Sequence, residues 1–269
     1  MVLATAMASL LLLSETSATP LCSPIPGFED LVEDEGAKYI VIGELHGTNE
    51  IPALFLDAVC QAAEKRTNII VGVEQPSFSQ AAIDQFLSSD DSPEAIERFR
   101  RSDIWNGEMK DGRSSEAYFK MFQSLKKLRL EGKIRSVVAF QPAHFTKQPT
   151  PEEYEKAMAA TLAAGIPGDA TVIALVGNSH SMTAAVPWEP HYLPMAAHLP
   201  MESTRGLNVT GDGGEAWNCM GQPMKCGAHP ISPTNLQMPR GLVMSPEGSP
   251  YSGTIYLGSA TTASPPAVP

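Results

Sequence analysis

The stretch Lys38-Tyr39-Ile40-Val41-Ile42-Gly43-Glu44-Leu45-His46-Gly47-Thr48 decides the fold. Lys38 to Gly43 is a short apolar run rich in β-branched residues and without polar alternation, the pattern of a strand covered on both faces. It switches at once to two ionisable residues set two apart, Glu44 and His46, which project to the same side if strand geometry continues. Working outward, Ile51, Leu54, Phe55, Ala58 and Val59 share one helical face, with Thr48 or Asn49 available as the cap. A second β-branched run, Asn68 to Val73, follows.

The alternation continues. A helical stretch carrying Ala117, Tyr118, Met121, Phe122, Leu125 and Leu128 precedes a third strand, Arg135 to Phe140. Thr150 as N-cap, Pro151 at the first helical position, Glu153 completing a capping box and Gly165 near the end mark the next helix. A fourth strand, Ala170 to Val176, follows it. This pattern predicts an α/β protein: a mainly parallel sheet with helices on both faces, right-handed crossovers, and a helical insertion between strands two and three. The insertion, Ser88 to Gly112, is charged and is expected to act as a lid over the sheet edge.

Composition bounds the partners. The chain has 269 residues, 43% of them hydrophobic, and a formal net charge of -11 with a sequence pI near 5.0. A real core is expected, and the field repels phosphate backbones and anionic surfaces, so nucleic acid is not an expected partner. Met1 to Leu13 is a short apolar run followed by small residues, which reads as a signal peptide over residues 1–19 even though no Lys or Arg precedes it. The run is too short for a stable membrane anchor. One domain is expected over residues 24–258, with a low-complexity Ser, Thr, Ala and Pro tail over 259–269 read as disordered. An exported, periplasmic or secreted location agrees with four cysteines. Cys219 and Cys226 are expected to pair; Cys22 and Cys60 offer a second bridge, unless Cys60 packs as a free buried thiol.

In an open parallel sheet, ligands bind at the carboxyl ends of the strands. There the chain places Glu44 and His46 after strand one, Glu74 after strand two, Gln141 and His144 after strand three, and His180 in Gly177-Asn178-Ser179-His180 after strand four. Any one of these has a plain structural explanation. The coincidence of ionisable groups after several apolar strands points instead to a shared site. Arg113, after Asp111-Gly112, presents a cation to an anionic substrate group or is a solvated residue near a helix cap. Trp105 and Arg101 in the insertion are candidates to close over a ligand.

Gly43-Glu44-Leu45-His46-Gly47-Thr48, the Glu after strand two and Gly177-Asn178-Ser179-His180 resemble the erythromycin esterase, ChaN-like and Tiki/TraB superfamily, over roughly residues 38–214. The erythromycin esterase branch implies metal-free ester hydrolysis, with His46 as general base and Glu74 orienting water. The Tiki branch, marked by a repeated Gly-x-x-His, implies a metallohydrolase in which His46, His180 and a carboxylate from Glu44 or Glu74 hold zinc, manganese or cobalt. The ChaN-like branch implies haem binding without turnover; Met182, Trp188, His191, Tyr192, Met195 and His198 are then the candidate lining. Gln141 stands where relatives often carry an acid. The expectation is a hydrolase acting on an ester or amide bond of a small-molecule or peptide substrate, with a haem- or metal-binding protein as the alternative.

Overall fold

The computed structural model describes residues 22–107, 110–143, 145–233 and 238–268. The signal-peptide segment and His144 lie outside the described residues.

The strands form where the apolar runs predict them: β1 Tyr39–Glu44, β2 Ile69–Pro76, β3 Ser136–Gln141 and β4 Thr171–Gly177. All six residues of β1 and all seven of β4 are buried, as expected of strands covered on both faces. β5 Thr204–Thr210, β8 Gly241–Met244 and β9 Gly253–Tyr256 complete a seven-stranded sheet of order β3-β2-β4-β1-β5-β9-β8. Every neighbouring pair runs parallel except β8 and β9.

Helices cover both faces. On one lie α1 Phe28–Glu33, α2 Glu50–Lys65 and α6 Glu116–Leu130, whose Phe28, Phe55, Phe119 and Phe122 pack with Ile40, Ile42, Val71 and Leu175 of the sheet. On the other lies α7 Pro151–Ala163, with the predicted capping box at Thr150 and Glu153, placing Met158, Ala159 and Leu162 against Val41, Val172 and Ala174. Both disulfides are present, Cys22–Cys60 tying the start of the described chain to α2 and Cys219–Cys226 crossing a hairpin.

Between β2 and β3 come α3 Gln80–Ser88, α4 Pro93–Arg100 and α5 Asp103–Asn106, then α6. These helices do not form a lid. Trp105 is wholly buried, its ring edge-on to Phe99 and Phe119, so the insertion is anchored in the core by aromatic packing. Arg101 points to solvent and pairs with Glu97 one turn away. The element that overlies the strand ends is a separate two-stranded hairpin, β6 Gly214–Met220 and β7 Lys225–Ile231. Trp217 N–H donates to the Gly47 carbonyl at 2.8 Å, and Gly47 has φ +85° where a Cβ would lie 1.9 Å from the Trp217 carbonyl oxygen. Only glycine permits that approach.

The tail also departs from its expected disorder. Ser264 N–H donates to Gly47 O, Glu116 N–H to Pro265 O and Ala267 N–H to Ser114 O, and isolated bridges join Thr48 to Ala263 and Ser115 to Pro266. Backbone pairing does not depend on side-chain hydrophobicity, which is why composition misjudged this segment. The tail braces the loops after β1 and before α6, both of which carry site residues.

Candidate active site

The sheet order makes β2, β4 and β1 neighbours, so three of the expected motifs end side by side. Glu44 is in register with Gly177 across β1 and β4. The β2–β3 register shifts between Val73 and Pro76, an irregularity that falls on Glu74 and Gln75 and turns that backbone out of the ladder. Glu44, His46, Glu74 and His180 converge there. The cleft above them is about 350 Å³ and is lined by Glu44, His46 and His180 together with Leu45, Asp111, Asn178 and, from the hairpin, Asn218, Cys219 and Met224.

Two imidazoles carry matching supports. His46 Nδ1 donates to Glu44 Oε1 at 2.8 Å, and that oxygen also accepts from the Tyr118 hydroxyl. His180 Nδ1 lies 2.7 and 2.8 Å from the two oxygens of Glu155, which also accepts from the Tyr192 hydroxyl and from Met195 N–H at 2.7 Å. Glu44 and Glu155 are buried, with side chains 0% and 1% exposed. With Nδ1 protonated and bound in each case, both rings keep Nε2 for the cleft.

Glu74 sits between the two. Its Oε2 accepts from Gly177 N–H at 2.7 Å and lies 3.7 Å from His46 Nε2, while its Oε1 accepts from Arg113 at 2.8 Å. Arg113 is held in turn by Asp111, and its carbonyl accepts from Gln75. Its guanidinium is thus held between Glu74 and Asp111. Burial lowers the His46 pKa, but the charge and hydrogen bond of Glu44 and the charge of Glu74 outweigh it, and the net value is raised. For His180 burial again lowers, and Glu155 and Glu74 again win. Burial pushes Glu74 up; His46, Arg113, His180 and the Gly177 amide together hold it below the usual carboxylate range.

The donors expected to share a metal take part in hydrogen bonds here, with Glu44 Oε2 buried and without a partner among the described residues. Glu44 Oε1 serves His46 and Tyr118, and each Glu74 oxygen accepts one hydrogen bond, from Arg113 and from Gly177 N–H. Among the described residues no group of three or more His, Cys, Asp and Glu side chains is placed to hold a metal ion. The candidate haem-lining residues fall into different environments: Met182 and Met195 are buried, Trp188 is exposed, and Tyr192 is bound to Glu155. Gln141 donates to the Tyr154 hydroxyl at 2.8 Å.

Glu155 and Tyr118 were not picked out as functional from the sequence. Glu155 had a legible signal, since it shares the i, i+3, i+4, i+7 face of α7 with Met158, Ala159 and Leu162, and a carboxylate on an apolar stripe needs a partner.

Neither a family model nor a curated protein matches the chain. Among solved structures, a mutant of the erythromycin esterase EreC in its open conformation is similar over 87% of this chain and 92% of that one, with a TM-score of 0.61 and 12% identity. A succinoglycan biosynthesis protein is similar over 88% and 91%, with a TM-score of 0.62 and 8% identity. These likenesses show an erythromycin esterase-like fold.

Proposed function

We propose that this protein is a hydrolase that cleaves an ester or amide bond of a small-molecule or peptide substrate by activating water without a metal. The observation that carries the reading is the pair of carboxylate-backed imidazoles, Glu44–His46 and Glu155–His180, meeting at Gly177 beside Glu74. His46 Nε2 takes a proton from water whose position is set by Glu74, and the water oxygen attacks the carbonyl carbon. The imidazolium that forms is stabilised by Glu44 at Nδ1 and Glu74 near Nε2. His180, protonated, gives its Nε2 proton to the leaving oxygen or nitrogen as the tetrahedral intermediate collapses. One proton has been gained at His46 and one lost at His180, so exchange through the cleft restores the start.

The fold likeness to an erythromycin esterase supports this reading. Two disulfides fit an oxidising compartment and so support an exported protein; among the described residues no helix is long and apolar enough to cross a membrane.

A panel of nitrophenyl esters and anilides, assayed in excess chelator, tests the proposal. Turnover should persist and fall at least 10³-fold in His46→Asn. Loss of turnover in chelator with recovery on added zinc would refute the metal-free mechanism, and an inert panel would count against hydrolysis itself.

A further inference from the structure

A second chamber adjoins the catalytic cleft. Leu45 and Asn178 line both spaces, and the chamber continues from them between the C-terminal end of β5 and the base of the hairpin, with a volume of about 220 Å³. The two differ in chemistry. Glu44, His46, Asp111 and His180 line the cleft, whereas among the described residues no ionisable side chain lines the chamber, whose polar groups are hydroxyls and carboxamides such as Thr48, Asn208, Thr210 and Ser232.

Two of those groups lack partners. Thr48 is wholly buried, and its hydroxyl has no hydrogen-bond partner among the described residues; the same holds for Asn208 Oδ1. Thr48 does not cap α2, because Asn49 holds the N-cap position and makes no side-chain cap bond either. Its backbone is fixed by the bridge to Ala263, so the hydroxyl is held in place by structure that does not use it. A buried polar group left unbonded is destabilising, and two beside one chamber call for a guest that bonds to both.

We propose that this chamber is a subsite for an uncharged, hydroxyl-bearing part of the substrate, a polyol or sugar unit attached to the bond cleaved at His46. A hydroxyl donates and accepts, so it satisfies both the Thr48 hydroxyl and the Asn208 carbonyl oxygen. A charged group finds no counterion there, and a plain alkyl group leaves both atoms unbonded. The volume is about seven times the ~30 Å³ share of one water in the liquid, room for a glyceryl or hexosyl group. Thr48 has no exposed surface and Asn208 Oδ1 is buried as well, so a guest bonds to both only as the chamber wall shifts.

The inference rests on the hydrolase reading, and the test therefore has one arm that needs no turnover. Methyl glucoside titrated into the protein should shift the Thr48 methyl and Asn208 amide NMR signals, with affinity at least tenfold weaker in Thr48→Val and Asn208→Leu. In the second arm, kcat/KM for glyceryl butyrate over propyl butyrate should be tenfold or more, and should fall toward one in both variants. Thr48→Val removes an unbonded hydroxyl and should fold with an unchanged or higher Tm; Asn208→Leu carries the test if it does not. Absence of the shifts, or discrimination equal in wild type and variants, overturns the subsite. Shifts seen with neither ester cleaved would sustain the subsite and defeat the hydrolase reading.

Discussion

A Cβ built on Gly177 would lie 3.1 Å from His46 Nε2, and it would also meet His180 Cδ2 at 3.4 Å and Glu74 Oε2 at 3.6 Å. The glycine in the middle strand of the site is therefore what lets the two imidazole edges and the carboxylate share one space. Its own φ of -54° is accessible to any residue, so the need for glycine is one of room, not backbone conformation. Gly177→Ala should fold with a Tm close to wild type and lose on the order of 10²-fold in kcat, because displacements of about an ångström in a reacting geometry have that effect. Thermal melts and steady-state kinetics on one preparation check both halves; an active Gly177→Ala would mean that the three groups do not act together.

Both imidazoles have raised pKa values, and their roles differ. His46 must be unprotonated to take a proton, so kcat/KM rises as pH climbs through its pKa. His180 must be protonated to give one, so the rate falls as pH climbs through its own. The profile should be a bell with both limbs above 6.5, read as macroscopic values of an interacting pair. Glu44→Gln removes the anion that raises His46 and should move the acid limb down; Glu155→Gln should move the alkaline limb down. Each should lower kcat on the order of 10³- to 10⁴-fold, the scale seen when a buried carboxylate behind a catalytic imidazole is neutralised. If Glu155→Gln leaves the alkaline limb in place, His180 is not the acid.

The same groups set how stability depends on pH. His46 and His180 bind protons more tightly folded than unfolded, so their contribution is complete below 6.5 and is lost as pH rises through their raised folded values. Glu74 is the reverse: its lowered value gives a contribution present above 4.5 and lost as pH falls through that lowered value. The melting temperature should be highest between about pH 4.5 and 6.5 and decline on either side. The double variant His46→Asn, His180→Asn should flatten the alkaline decline. An unchanged slope in that variant would place its origin elsewhere.

How far this site could be read from sequence follows from which physical signals are local. Glu44, His46 and His180 stand at or just past the ends of β-branched apolar runs, so strand periodicity alone locates them at the carboxyl end of the sheet. Glu155 reaches the same place from α7 on the far side of the sheet, and in Pro151-Glu152-Glu153-Tyr154-Glu155 it reads as one more acid in a charged first turn. The distinction lies in which helical face it occupies. The charge of residues 88–112 points to a surface lid, but Phe99 and Trp105 outweigh those charges by burying against Phe119 and Phe122. The hairpin that does cover the site is held by Gly47 and Trp217, a pairing 170 residues apart that no local pattern encodes.

Arg113 offers the sharpest contrast between a sequence expectation and the structure. A cation presented to a substrate anion predicts that Arg113→Met raises KM for anionic esters and spares neutral ones. The ion pair with Glu74, whose side chain is only 4% exposed, predicts equal losses for both, because what is lost is the placement of Glu74. It also predicts a stability change: removing one partner of a buried pair leaves the other charge without compensation, at a cost of about 3 kcal/mol. Glu74→Gln in the Arg113→Met background removes that uncompensated charge and should restore part of the loss, so the double variant should unfold at higher denaturant than the sum of the single effects allows. Strict additivity in this cycle, together with a KM effect confined to anionic esters, would return Arg113 to the role of a substrate-facing cation.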